Sequence, residues 1–520
     1  MLAICVQWLD ADYNLRKALL GLAECRHSHS GSTQAAIIME YFEMYRITHR
    51  LGYHTADNAT SNDTCLRAVS ATLRDEHDVI FDAVHRRVRC IGHIINLSLQ
   101  AFLLARSKEA LAAAIAAAES VADNKDIERL STQLTAPSTP PQRGDTRSQQ
   151  TTTNTASGDK CSGWEGIAPL RKLHTIAVWL DLSSLHSDMW RDAVGLELGT
   201  DNTTRWSSWY RVINNAIKKK AQINRFFTQY DHNLGENMLD TSDWVLLERT
   251  QIFLQVFDEA TRDAERDHAS VADVLQLMDA ILQHYEDTKL KHSPDGPEPD
   301  PCMLHAIDMG WFVLDKYYAL TDEAPVYTAA LLLDPSRRLA YLEENWPTEW
   351  HAAAIDRAQR VWESEYKDFV LPEEVSISAA PAVVQSAVTP LERLKQRTQP
   401  KTTVSTDRDT FDAFIREDPV DLHGSTALEW WCQPERRRRY PRLHRMAMDI
   451  LSIPPESAEP ERTFSGARRT TRWDRSRLTC DNIELIECIG NWLRNRHIRT
   501  GGVVLHEDAV DNMDIDVAVV

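Results

Sequence analysis

The sequence predicts an α/β unit at its start and a helical remainder, and three observations carry that prediction. Up to about Asp75 short apolar runs alternate with helical spacing. From Trp164 onward the apolar residues recur at helical spacing with few interruptions. Between them, residues 135–162 are rich in Ser, Thr, Pro and Gln and nearly free of large apolar side chains, a composition that cannot bury a core.

In chain order, LAICVQWL from Leu2 reads as a buried strand, followed by polar DADYNLRK and a second apolar run, ALLGLAEC. STQAAIIMEYFEMYRI has helical spacing, with Ser32 placed to cap it. LGYHTA is a short strand that ends at Asp57-Asn58, and TCLRAVSATLRD then restarts helical spacing. RVRCIGHIINLSLQAFLLARSKEALAAAIAAAESVAD is a long helical stretch. After the polar gap come DWVLLERTQIFLQVFDEATRDAE, the Pro/Asp loop HSPDGPEPDP, HAIDMGWFVLDKYYAL and HAAAIDRAQRVWESEYKDF. A second aperiodic polar stretch covers about 376–409, and Phe411 to His497 is again densely helical and aromatic.

At 520 residues the chain holds two to four domains' worth of sequence. Its 77 acidic and 58 basic residues leave a net charge of −19, which excludes a surface that is basic throughout but not a local basic patch. Nine scattered cysteines without a CxxC pair point to a reduced, intracellular setting. The first residues lack a basic segment before their apolar run, which breaks at Gln7, so no signal peptide is expected. The run ALAAAIAAA is far too short to span a bilayer.

Four constellations could carry chemistry. Asp57 sits at the end of a strand, where an open α/β sheet places ligands, although Asp-Asn pairs also cap turns. Cys90-Ile91-Gly92-His93 offers half of a zinc set, but no second pair lies at the right spacing, and a buried Cys with a satisfied His is the plainer reading. In DNTTRWSSWYRVI, Trp206 and Trp209 share a helix face beside Arg205, which suits base stacking or, equally, a core-facing Trp pair. Last, the segment from Arg436 to Arg477 holds twelve arginines, against six acidic residues from Glu435 to Asp474. It is locally basic in an acidic chain, which suits an anionic partner or a solvated charged face.

Taken together these segments resemble the hAT transposase superfamily. The C-terminal stretches carry most of the likeness: Trp430-Trp431, YPRLHRMAMDILSIPPESAEPERTFS from Tyr440, and LTCDNIELIECIGNWLRN from Leu478. TADNATSND, RCIGHIINL, DNTTRWSSWYRVI and AALLLDPSRRLAYLEENW precede them in the family's order. The resemblance implies an α/β plus α architecture: an RNase H-like core interrupted by a large all-helical insertion and closed by a helical dimerisation region. It divides the chain into 1–134 (core), 135–162 (linker), 163–400 (insertion), 405–500 (core and dimerisation) and 501–520 (acidic tail).

The resemblance also implies roles. Asp57 and Glu461 match the second and third carboxylates of an Asp-Asp-Glu set that holds Mg²⁺ or Mn²⁺, and no zinc site is expected. Cys90 and His93 match the pair that supports the site. Trp206, Arg205, Arg468, Arg469 and Arg472 would contact DNA. Trp430, Trp431, Leu443, Met446, Ile450, Leu485, Ile489 and Trp492 would build a homodimer. Phe464 would anchor the helix that carries Glu461. The first carboxylate has no counterpart here, because the family's first strand lies upstream of the stretch that AICVQWLDADYNLRK matches. Asp10 and Asp12 follow a strand and would otherwise be offered for the role, but the family register sends them to the sheet's far end. The expected protein is a nuclear, transposase-derived homodimer or higher homo-oligomer that binds DNA and is impaired in catalysis, with neither a membrane nor a small-molecule partner. An active transposase and a protein-interaction scaffold are the alternatives.

Overall fold

A computed structural model describes residues 1–26, 30–104, 168–199, 206–230, 234–369, 409–471, 478–498 and 517–519. The expected linker 135–162 and nearly all of 376–409 lie outside these residues.

Strands β1 (Leu2–Leu9) and β2 (Leu15–Ala23) form an antiparallel hairpin with a bulge between Ile4 and Cys5. Asp10 makes the turn. One carboxylate oxygen accepts the Asp12 and Asn14 amides at 3.0 and 2.8 Å, and the other binds Arg16 Nε at 2.7 Å. Helix α1 (Gly31–Met44) is capped by Ser30 rather than Ser32, since the Ser30 hydroxyl receives the Thr33 amide. Strand β3 (Leu51–Ala56) leads into α2 (Thr60–His77), and β4 (Arg87–Arg89) leads into α3 (Ile91–Leu104). The stretch expected to be helical from Arg87 therefore begins as a strand parallel to β3.

The helical block follows as α4 (Ala168–Asp181), α5 (Ser184–Val194), α6 (Trp206–Lys218), α7 (Lys220–Gln229), α8 (Thr241–Ala264), α9 (Ala272–His292), α10 (Pro301–Leu320), α11 (Val326–Leu333), α12 (Arg338–Asn345) and α13 (Thr348–Val361). Its boundaries follow local chemistry. Asp240 and Asp243 form a reciprocal capping box on α8, and Asp300 caps α10 with Pro301 at the first helical position. The C-terminal segment adds α14 (Phe411–Ile415), α15 (Ala427–Trp431), α16 (Pro434–Arg439), α17 (Pro441–Leu451), α18 (Ala458–Thr470) and α19 (Cys480–Arg494). Within the stretch expected to be an acidic tail, Val517–Val519 forms β5. The sheet order is β2-β1-β5-β3-β4, with β5 antiparallel to β1 and parallel to β3.

Three apolar clusters hold the fold. The largest joins one sheet face (Leu9, Tyr53, Val88), α3, the helical block and the C-terminal residues Trp430 to Ile453. A second packs α1 and α2 on the other face, around Val6, Ile38, Leu66 and Val69. A third lays α18 and α19 on the hairpin through Ala3, Leu19, Leu22, Ala467 and Ile483. The helical block and the C-terminal segment thus share one core. No described helix is long and apolar enough to cross a membrane. Seven cysteines, from Cys5 to Cys488, are free thiols as expected, whereas Cys302 is disulfide-bonded.

Candidate functional site

The site is assembled where β3 ends, α3 begins and one extended segment crosses the sheet. Asp57 follows β3 directly. Its Oδ1 accepts the Ala59 amide at 3.0 Å and Asn62 Nδ2 at 2.6 Å, so one carboxylate oxygen starts α2 in the manner of an Asx turn. The Asp57 carbonyl accepts from the buried Arg87 guanidinium, which also reaches the carbonyls of Ala56 and Val88 at 3.2 and 2.7 Å. Asp63 on α2 pairs with Arg87 at 3.1 Å and Arg89 at 3.4 Å, bracing both strand ends. Next to Asp57, the Asn58 side chain is 9% exposed, and neither its oxygen nor its nitrogen has a hydrogen-bond partner. Buried carboxamides are rarely left so.

Pro454 and Pro455 end α17 and turn the chain into a strap across the sheet. Gln7 Nε2 on β1 donates to the Ser452 carbonyl at 2.6 Å, Thr55 Oγ1 on β3 to that of Pro454 at 3.2 Å, and the Ile91 amide to that of Pro455 at 3.0 Å. The Ser457 amide then donates to Cys90 Sγ at 3.4 Å. Burial pushes the Cys90 thiol up to about 11, against hydrogen bonds from Ser457, so it stays protonated at neutral pH and serves as an acceptor rather than a thiolate ligand.

His93, half-buried in the first turn of α3, is held below the ordinary imidazole value by burial, while the charges of Asp57 and Glu461 pull the other way. Both predicted carboxylates therefore act on one imidazole, from opposite ends of the sequence. Glu461 lies exposed in the first turn of α18. That helix is anchored by buried Thr463 and Ala467; Phe464, the expected anchor, is 37% exposed and faces outward.

Glu456 was not anticipated. It has no ion pair or hydrogen bond among the described residues, and its carboxylate packs so closely on Gly92 that a Cβ there would come within 3.1 Å of Oε2. Burial first, then the nearby charge of Glu265, raise its carboxyl to about 7. An acidic residue straight after a Pro-Pro stop was the available signal.

Asp10 and Asp12 lie elsewhere. β1 runs against β5, and β5 runs with β3, so the ends of β1 and β3 point to opposite ends of the sheet. Burial disfavours the Asp10 carboxylate, but hydrogen bonds from Asn14 and Arg16 outweigh it and hold the carboxyl below its usual range. Among the described residues, one group of three potential metal ligands has donor atoms all within 4.8 Å of one another: Glu43, Glu76 and His77, at the exposed ends of α1 and α2. Asp57 and Glu461 belong to no such group.

Of the residues expected to touch DNA, Arg205 and Arg472 lie outside the described residues. Trp206 opens α6, while Trp209, one turn on, is buried in the core. Arg468 and Arg469 stand exposed in the last turn of α18.

The expected dimer residues divide into two sets. Trp430, Trp431, Leu443, Met446 and Ile450 are buried in the chain's own core, and Trp431 Nε1 donates to the Leu333 carbonyl at 2.9 Å. This chain covers them itself, because α15 and α17 pack on α11. Leu485 and Ile489 are exposed, and Ile486 and Leu493 extend them into an apolar stripe on α19 at helical spacing. The opposite face of α19 caps the edge strand β2. Glu484 accepts the Leu22 amide, Asn491 accepts the Leu19 amide, and Trp492 Nε1 donates to the Leu19 carbonyl at 2.8 Å. Trp492 is thus spent within the chain, and the outward stripe is left open.

Residues 1–85 match the family model of the ZBED1 RNase-like domain, and residues 410–493 match the hAT family C-terminal dimerisation region. A sheet of RNase-like type with a carboxylate at a strand end, joined to a dimerisation region, defines a transposase-related protein. These two matches and the relatives that follow support an hAT-family, transposase-derived protein. It is 23% identical over 505 residues to a putative transcriptional regulator, tpeD, of Talaromyces stipitatus, which covers 93% of this chain and 50% of that protein. It is 20% identical over 515 residues to a putative AC transposase of Zea mays, covering 95% of this chain and 54% of that protein. A putative AC9 transposase of Zea mays is 25% identical over 97 residues, 18% of this chain and 12% of that protein. The chain thus spans about half the length of the first two relatives.

Proposed function

We propose that this chain is a nuclear, DNA-binding homodimer built on an RNase H-like core, with the block from 163 to 400 inserted into that core and a site that is incomplete for strand transfer. The observation that carries this reading is the joint action of Asp57 and Glu461 on His93, which puts two acidic residues about 400 positions apart into one electrostatic neighbourhood. Their oxygens, with the unpartnered Asn58 carboxamide, suit a hard cation better than the protonated Cys90 thiol does. Asp57 and Glu461 would hold Mg²⁺ or Mn²⁺, which supplies stabilisation of the attacking and leaving oxygens in phosphoryl transfer.

The chain's own groups have three tasks. Arg87 and Asp63 fix the strand end that carries Asp57. His93 stays neutral and orients the space between the carboxylates. The exposed face of α18, with Arg468 and Arg469 beyond Glu461, receives phosphate. Among the described residues Asp57 and Glu461 are the acidic pair acting on His93, and Asp10 and Asp12 stand at the other end of the sheet, so a two-metal site here needs a further carboxylate.

The similarity to a putative transcriptional regulator over 93% of the chain favours a second reading, DNA binding without strand chemistry in any setting. Anisotropy titrations of duplex DNA across a salt series, alongside incision assays with Mg²⁺ and Mn²⁺, test both. The expected result is affinity that falls steeply with salt, a slope flattened by Arg468→Ala with Arg469→Ala, and no incision. Salt-independent or absent binding would refute the DNA assignment, and metal-dependent incision would refute the impairment.

A further inference from the structure

The centre of the sheet holds a three-residue strand, as short as the edge strand β4. β5 contributes three residues between β1, with eight, and β3, with six. Its pairing is correspondingly sparse: Val6 with Val519 and Gln7 with Ala518 on one side, Leu51 with Val517 and His54 with Val519 on the other. On its outer side, by contrast, β1 pairs with β2 from Leu2 to Leu9. Strands on either side of a third stand about 9.6 Å apart, so β1 and β3 cannot pair with each other while their covering helices hold them in place. Buried backbone donors and acceptors must find partners. The gap is therefore a slot whose two walls require a strand.

The walls also specify its occupant. α1 and α2 cover one face of the flanking strands, and the strap and the main core cover the other, with Val6 and Tyr53 each 4% exposed. A strand buried on both faces reads as a continuous apolar run. The last four residues, VAVV, are such a run, and they follow a segment, 507–516, that carries five acidic residues. The 22 residues between α19 and β5 can span at most about 75 Å, ample to reach the slot.

We propose that the gap between β1 and β3 is a strand-acceptor site for an extended apolar segment running parallel to β3, and that this chain's own C-terminal segment occupies it in cis and is exchangeable. The few paired positions make the resident strand weak. Insertion completes the strand array from which Asp57 projects, so occupancy of the slot and order at the Asp57 strand end are linked. The inference stands whether or not the chain acts on DNA.

The test begins with the intact chain. Val6 and Val519 are direct antiparallel partners, and such Cα pairs lie about 4.5–5.5 Å apart, within disulfide reach. The double variant Val6→Cys, Val519→Cys is expected to cross-link within one monomer on mild oxidation, while each single variant does not. Cross-linking only between chains would replace the cis occupant with a second copy's tail, and no specific cross-link would overturn the slot. Hydrogen exchange of segments 2–9 and 51–56 should accelerate on the order of 100-fold when residues 509–520 are removed; unchanged exchange refutes the proposal. A labelled peptide of residues 511–520 should bind the shortened chain and bind the intact chain at least about 10-fold more weakly, because the cis tail competes. The same peptide with Ala518→Pro should not bind, since proline cannot donate to a ladder. Equal binding to both chains, or equal binding of the proline peptide, would overturn exchange in the slot.

Discussion

Replacing Glu456 with glutamine should stabilise the protein at neutral pH and flatten its response to acid. The carboxyl is raised to about 7 by burial and by the charges of Glu265 and Glu461, which outweigh Arg462 and Lys17. In the unfolded chain it titrates near 4.3, the ordinary glutamate value. A carboxyl raised on folding binds its proton more tightly in the native state. The unfolded state therefore releases the proton first as pH rises, and stability falls from about pH 4.5 to about pH 7 before levelling. At 1.36 kcal/mol per pH unit the full effect is about 4 kcal/mol, and partial exposure to solvent reduces it to about 1–3 kcal/mol. Glutamine keeps the shape of the neutral acid and carries no proton to lose. Urea denaturation followed by tryptophan fluorescence, run from pH 5 to pH 8 on both proteins, gives the comparison. The variant's advantage should grow by about 1–2 kcal/mol between pH 5 and pH 8, the rest of the loss falling below pH 5. Parallel curves, with the same difference at both ends, would refute a Glu456 carboxyl raised by burial.

Three other outcomes follow from the packing. Leu485→Asp with Ile489→Asp should convert the proposed dimer to a monomer by light scattering while leaving the unfolding free energy in urea within about 0.5 kcal/mol, since both side chains are exposed within the chain. Trp431→Ala should do the reverse, costing about 3–5 kcal/mol of stability with the mass of the folded protein unchanged. Arg87→Met should cost about 3 kcal/mol or more by urea denaturation, because it leaves Asp63 and the strand-end carbonyls without their shared donor. In NMR titrations His93 should have its midpoint below 6.5, and Asp57→Asn should lower it further, because the Asp57 charge raises it; a rise on that substitution would contradict the shared neighbourhood.

The sequence made some of this visible and hid the rest for physical reasons. Strand β3 and the place of Asp57 were legible because a short apolar run meets an Asx turn, and both are local signals. The two carboxylates' joint approach to His93 was reached only through the family likeness, since no periodicity links residues so far apart. Trp430 and Trp431 looked like interface residues because composition reports burial but not what does the burying; their partners, such as Leu333, belong to a helix about a hundred residues upstream. On α19 the apolar spacing was read at Leu485 and Ile489, yet Trp492 shares that helix and points to the sheet, a matter of roughly 100° of helical rotation per residue. Phe464 was misplaced in the same way. The role of Val517–Val519 was concealed by the acidic residues around it, because strand pairing across the whole chain leaves no mark on local pattern.

The strap from Ser452 to Ser457 has a consequence for how the molecule comes into being. Its bond to Gln7 spans 445 residues, and its bond to Thr55 spans 399. At roughly 5–20 residues per second of synthesis, the first strands wait some 20–90 s on the ribosome before their clamp has been made. Long-range contacts of this kind form late and slowly. The N-terminal hairpin must stay soluble as a half-built sheet during that interval, and the neighbourhood of Asp57, His93 and Glu461 matures only once the segment from Ser452 to Glu461 has been released. Synthesis through Glu461 is in effect a licensing step: a chain terminated before it carries Asp57 and never an assembled site.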